Sequence, residues 1–179
     1  MLHPLLAGVL SLGMLSPRAP RSAGVGRAAP APGPGGPVAL ADSIVIEKKA
    51  HRLTLYHMGS PLRIYRVALG GTPVGDKRAR GDRRTPEGLF SVDGMNENSD
   101  FHLALHLSYP DERHQMRADS LGIDPGGDIM IHGLPKGRGK IGAQHRTKDW
   151  TNGCVALTDE EMEQIWNLVP IGIPVEIKP

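Results

Sequence analysis

Hydrophobic positions in this chain recur mostly in short runs with a period of two, the pattern of strands that turn one face toward a core. Ile44-Val45-Ile46 and Leu53-Thr54-Leu55-Tyr56 flank a polar stretch from Glu47 to Arg52 and predict a hairpin. After the turn residues His57-Met58-Gly59-Ser60-Pro61, residues 62–69 return as a third strand with Leu62, Ile64 and Val67 facing inward. Thr72 to Pro86 holds Gly, Pro and many charges and reads as a long loop, a kind of segment that is often functional. Leu89-Phe90-Ser91-Val92 predicts a further strand, and Asp93 to Asp100 a polar turn. From Phe101 to Tyr109, Leu103, Leu105 and Leu107 alternate with His102, Ala104, His106 and Ser108, as on a half-buried strand. There His102 and His106 would lie about 13 Å apart at ~3.3 Å per residue, too far to share a metal ion.

Asp111 to Leu121 has the composition of a short helix, and Ile129-Met130-Ile131 reads as a buried strand ending at His132-Gly133. A clear helical period appears only late. Thr158 is a good N-cap, Glu161 completes a capping box, and Met162, Ile165, Trp166 and Val169 recur at helical spacing before Pro170. Ile173, Val175 and Ile177 alternate as a last strand. The expected fold is therefore mainly β (α+β), with one prominent C-terminal helix.

Length and charge narrow this further. A chain of 179 residues supports one full-sized domain. Residues 1–41 carry no Asp or Glu, and Ser16 to Pro37 is dominated by Pro, Gly, Ala and Arg, a composition that cannot bury a core. Leu2 to Leu15 has the length of a secretory h-region, and Ala39-Leu40-Ala41 the small-x-small form of a cleavage site. Residues 1–41 are thus expected to be a signal peptide, a disordered segment or both, and 42–179 an exported domain without a membrane span. The exported part holds 18 basic and 19 acidic residues, so it is near neutral. With no basic stripe interleaved with aromatics, nucleic acid is not expected as a partner.

Cys154 is the only cysteine, so it cannot form an internal disulfide or build a multi-cysteine zinc site. It follows Gly153 between the polar Lys148-Asp149-Trp150-Thr151-Asn152 and the apolar Val155-Ala156-Leu157. The glycine admits a close approach, and the N–H groups of Gly153 and Cys154 together offer an oxyanion hole. A thiol needs a base to become a nucleophile, and His132 at the end of a buried strand is the candidate. The residues alone leave alternatives open. Free cysteine is commonly an inert core residue, which would make the protein a non-catalytic binding module. A zinc set of His132, His145 and Cys154 is chemically possible but lacks the short spacings of structural sites. His145 is expected to be loop-borne and solvated, and Trp150 and Trp166 to belong to the core. Asp82, Arg83 and Arg84 either grip a substrate carboxylate or form a solvated turn.

Ile131-His132-Gly133 followed after a loop by Thr151-Asn152-Gly153-Cys154-Val155 resembles the catalytic signature of the L,D-transpeptidase (YkuD-like) family. Leu53 to Tyr56, Gly81 to Gly88, Ser108-Tyr109-Pro110 and Gly172-Ile173-Pro174-Val175 also look like landmarks of that family, so the resemblance covers about residues 43–178. It implies an L,D-transpeptidase-like β-sandwich or barrel without a cofactor or metal. Cys154 would be the nucleophile, His132 the general base and acid, and Gly133 the source of a carbonyl that orients the imidazole, with Arg84, Asn152 and Thr151 as substrate contacts. The substrate implied is a peptidoglycan stem peptide in the periplasm or cell envelope. The bond attacked lies between its third residue and the D-alanine at position four. An amine then resolves the acyl-enzyme in 3→3 cross-linking or in anchoring of an envelope lipoprotein. Asn152 stands where most members carry a second histidine and Ala156 where many carry arginine. The Asp149-Trp150-Thr151-x-Gly153-Cys154 form resembles a branch that includes an enzyme releasing lipoprotein, which makes hydrolysis the alternative.

Overall fold

The computed structural model describes residues 39–179. The expected signal segment, 1–38 of the 1–41 stretch, lies outside the described residues. Ala41, the end of the small-x-small triplet, is 3 % exposed in the core, and its N–H donates to Leu168 O at 2.8 Å. The packed domain therefore takes in Ala41, one residue before the expected boundary.

Eight strands, two α-helices and one 3-10 helix follow in the described residues. The strands are β1 (Ser43–Glu47), β2 (Arg52–His57), β3 (Ser60–Arg66), β4 (Gly88–Asn96), β5 (Ala104–Leu107), β6 (Met130–His132), β7 (Val155–Ala156) and β8 (Pro174–Lys178). They form one sheet in the order β3-β2-β1-β8-β4-β5-β6-β7. The last strand is central, parallel to β1 and antiparallel to β4. The ends of the sheet also meet. Ala68, just beyond β3, exchanges backbone hydrogen bonds of 3.0 and 2.8 Å with Ala156 of β7, and Gly70 bridges to Thr151. The sheet is thus curled and nearly closed, which removes exposed edges and brings the segment after β3 beside the turn that carries Cys154.

Ile44, Ile46, Leu53, Leu55, Leu105, Leu107, Ile131, Val155, Val175 and Ile177 fill the interior. Each contributes roughly 1.5–3 kcal/mol of burial free energy. Helix α2 (Asp159–Leu168) covers them with Met162, Ile165 and Leu168, and its capping box is complete: Thr158 Oγ1 accepts from Glu161 N–H, and Glu161 accepts from Thr158 N–H.

Several expectations change. Ile64 is 61 % exposed, and Tyr65 faces inward in its place, while Val67 is buried as expected. The cause is register: Leu53, on the inner face of β2, pairs with Tyr65, which leaves Ile64 opposite Thr54 on the other face. The strand predicted from Phe101 begins only at Ala104, because His102 takes a positive φ of 64°. His102 and His106 turn to separate acids, Glu163 and Asp93. The C-terminal helix is also not alone in length, since α1 (Glu112–Leu121) likewise has ten residues, capped by Asp111 and ended by left-handed Gly122. Part of the expected loop between His132 and Cys154, Gly139–Thr147, forms 3-10 turns on either side of a kink at Gly142. A long crossover is required there, since β6 and β7 are parallel neighbours.

Candidate active site

The pairing of β6 with β7 sets Ile131 opposite Val155 and His132 opposite Ala156. Ile131 and Val155 go to the core, and Cys154 immediately precedes β7. The pairing of two parallel strands thus brings the ends that carry a histidine and a cysteine 22 positions apart in sequence side by side.

His132 is 3 % exposed. Its Nδ1 lies 2.7 Å from Gly133 O, a carbonyl that can only accept, so Nδ1 carries the proton and Nε2 is left with a free lone pair. Burial lowers the imidazole pKa, and the Gly133 carbonyl pulls weakly the other way. The ring is walled by Phe101, with centroids 4.5 Å apart, and by Trp150 edge-on at 5.8 Å. A Cβ on Gly133 would come within 2.8 Å of Asp159 Oδ1, so that position admits glycine alone without movement.

Cys154 is half-buried. Its thiol is 3.5 Å from Asp128 O, the carbonyl of a residue held at φ 54°. Burial raises the thiol pKa, opposed by the backbone N–H of Met130. Burial thus disfavours the charged form of both groups.

The turn before Cys154 is built by Thr151. This residue is 4 % exposed, its hydroxyl donates to Cys154 O at 2.8 Å, and it accepts from Gly153 N–H at 3.1 Å. Its backbone ties to Leu69 O and Gly71 N–H. Two sequence expectations bear on this turn. Thr151, expected as a substrate contact, braces the turn here, with its hydroxyl spent on Cys154 O and Gly153 N–H. Gly153 N–H is occupied as well, so of the two expected oxyanion donors it must first leave Thr151 to serve. Gly153 is required for packing: at φ +134°, a Cβ would stand 2.7 Å from Arg84 O. Asn152 is exposed beside it.

The 72–86 loop delivers Arg84 to this turn and is pinned from within. Asp82 accepts from Lys77 Nζ (2.8 Å) and from the N–H groups of Arg78 (2.7 Å), Ala79 (3.1 Å) and Arg84 (3.0 Å). These bonds outweigh the burial that alone would raise its pKa, and hold it below the usual carboxylate range. Asp82 thus organises the loop and is not free to grip a ligand. Lys48 clamps the loop base, donating to Gly75 O, Thr85 O and Glu87. Arg84 is half-buried and makes no ion pair among the described residues.

His145, expected in solvent, is 7 % exposed; burial lowers its pKa to about 4. It packs edge-on to Trp150, whose Nε1–H donates to His145 Nδ1 at 3.4 Å. The aromatic wall of Phe101, Trp150 and His145 was not legible in the sequence, because nothing in the spacing of these residues shows that the crossover folds back onto His132. Among the described residues no group of three His, Cys, Asp or Glu side chains converges as a metal site.

A family model described as the L,D-transpeptidase catalytic domain (YkuD) matches residues 41–177. The chain belongs to that family. Solved structures agree on the fold. The helical cell shape determining protein Pgp2 of Campylobacter jejuni aligns with a TM-score of 0.60 at 22 % identity, covering 78 % of this chain and 48 % of that one. Bd1075 of Bdellovibrio bacteriovorus aligns at 0.54 and 17 % identity, with coverage of 78 % and 48 %. The Ldtfm–avibactam carbamoyl enzyme aligns at 0.53 and 15 % identity, with coverage of 78 % and 49 %. The L,D-transpeptidase domain described here therefore spans about half the length of these proteins. No curated protein matches the chain in sequence.

Proposed function

We propose that this domain is an exported cysteine acyl-transferase that works on peptidoglycan stem peptides in the bacterial envelope, with Cys154 as nucleophile and His132 as base. The observation that carries the reading is the tautomer of His132: its Nδ1 proton is held by Gly133 O, which leaves the Nε2 lone pair free at the end of β6, the strand paired with the one that Cys154 precedes. The thiol turns from Asp128 O toward Nε2 and gives up its proton there. Sulfur attacks the carbonyl carbon of the third stem residue, and the N–H of Cys154 faces the developing oxyanion. Protonated Nε2 then donates to the leaving amine of D-alanine, which leaves a thioester on Sγ. Starting from neutral partners suits this sequence, because proton transfer and attack are then coupled. Arg84 and Asn152, at the rim beside Gly153, are the substrate contacts. An amine, from a second stem or an envelope lipoprotein, resolves the thioester in transfer, and water resolves it in hydrolysis. No helix among the described residues is long and apolar enough to cross a membrane.

Defined tetrapeptide muropeptides, incubated with and without an acceptor amine and analysed by mass spectrometry, test the proposal. Dimers indicate transfer, and tripeptides alone indicate the hydrolytic alternative. Cys154→Ala should abolish both products with the fold intact; products from that variant would remove Cys154 from the mechanism.

A further inference from the structure

One aromatic ring away from His132 lies a cavity of about 380 Å3, within the size range of ligand sites. Its apolar walls are Leu134, Ile141 and Trp150, and Trp150 also packs against His132 with ring centroids 5.8 Å apart. Two cations, Arg138 and Lys148, stand at the cavity; both are exposed, and neither has an ion-pair partner among the described residues. No acidic residue lines it. The nearby acids are engaged elsewhere: Asp149 with His51 and the N–H of Leu69, Glu161 with Arg146, and Asp159 with the N–H of Leu134. The lining also includes His145. Because His145 Nδ1 accepts from Trp150, the ring proton sits on Nε2, a buried atom with no acceptor.

An apolar cavity with two unpaired cations and no acid in its lining is complementary to a peptide that carries a free carboxylate on a short aliphatic stem. We propose that this cavity is a carboxylate-binding subsite for the stem peptide, formed by Arg138 and Lys148 at the mouth and by Ile141 and Trp150 along the wall. This rests on the proposed reaction, since it supposes that the peptide processed at Cys154 extends across Trp150. Because Trp150 borders both cavity and imidazole, a peptide seated there is held against the catalytic face.

Binding is measured on the full chain carrying Cys154→Ala, so that no acyl transfer intervenes. Titration calorimetry uses a tetrapeptide stem with free carboxylates and the same peptide with every carboxylate amidated. The free peptide is expected to bind more tightly, with an affinity that falls as salt rises. Arg138→Ala and Lys148→Ala, both at exposed positions, should each weaken it by about fivefold, the size of an exposed charge contact. Neither should change the affinity of the amidated peptide. Ile141→Asp, which places an acid in the wall, should weaken the free peptide most. Equal affinity of free and amidated peptides, or free-peptide binding unmoved by all three substitutions, overturns the subsite. If those binding results hold while the wild-type chain forms no product from the same stem, the proposed reaction fails and the subsite stands.

Discussion

Thr151→Val separates a brace from a substrate contact. Valine has nearly the shape of threonine but neither donates nor accepts, so the substitution strips two hydrogen bonds from one turn: Thr151 Oγ1–H to Cys154 O at 2.8 Å and Gly153 N–H to Thr151 Oγ1 at 3.1 Å. Gly153 is buried, and Thr151 Oγ1 is the partner its N–H has. A buried polar group left without a partner costs roughly 1–3 kcal/mol, so the two together should cost about 2–6 kcal/mol. At about 3 °C per kcal/mol for a domain of this size, the melting temperature should fall by roughly 6–18 °C. Thr151→Ser is the control. It keeps both bonds and loses one methyl, at a cost of about 1 kcal/mol. Urea unfolding followed by circular dichroism measures both variants, and KM and kcat for a tetrapeptide stem are read alongside. If Thr151→Val unfolds within about 0.5 kcal/mol of the wild type and raises KM, the hydroxyl faces substrate and the bracing argument is wrong.

Gly153→Ala should be destabilising by about 2–5 kcal/mol, because a side chain at φ +134° is strained and its Cβ meets the Arg84 carbonyl at 2.7 Å; a denaturation midpoint unchanged from the wild type would show that the 72–86 loop does not pack there. Acid should weaken the domain before its carboxylates titrate. His132 and His145 are buried neutral with lowered pKa values, the latter about 4, so the unfolded chain binds more protons as pH falls below about 6.5. Stability is then fully present above pH 6.5 and lost progressively toward pH 4. Urea midpoints at pH 7.5 and pH 5 measure this, and equal midpoints, or a pH slope no shallower in His145→Phe, would contradict it. Turnover should keep its neutral-pH rate to below pH 6.5, since His132 acts as a neutral base and its pKa is lowered; a rate that instead rises steeply above pH 8 would mean that a preformed thiolate is the nucleophile.

Local chemistry made several elements legible without any structure. The Thr158–Glu161 capping box, the helical recurrence of Met162 and Ile165, and the alternation in the last strand are all statements about neighbours within a few residues, and the structure contains each of them. His132 stood out as a candidate base from its place at a strand end, but only the family signature tied it to Cys154, because no local rule connects positions 22 apart. Other features depend on which strands meet. Ile64 points outward because Leu53 chose Tyr65 as its partner, and His145 is buried because the crossover folds against Trp150. Thr151 looked like a ligand contact beside a nucleophile, and only hydrogen-bond geometry showed its hydroxyl to be spent. The sequence by itself determined the strand-rich class, the helix caps and the residue types available for chemistry, because these follow from short-range sterics and periodicity. Tertiary structure alone decided which polar atoms remain free to react, since a donor or acceptor is free only when no distant part of the chain has already taken it.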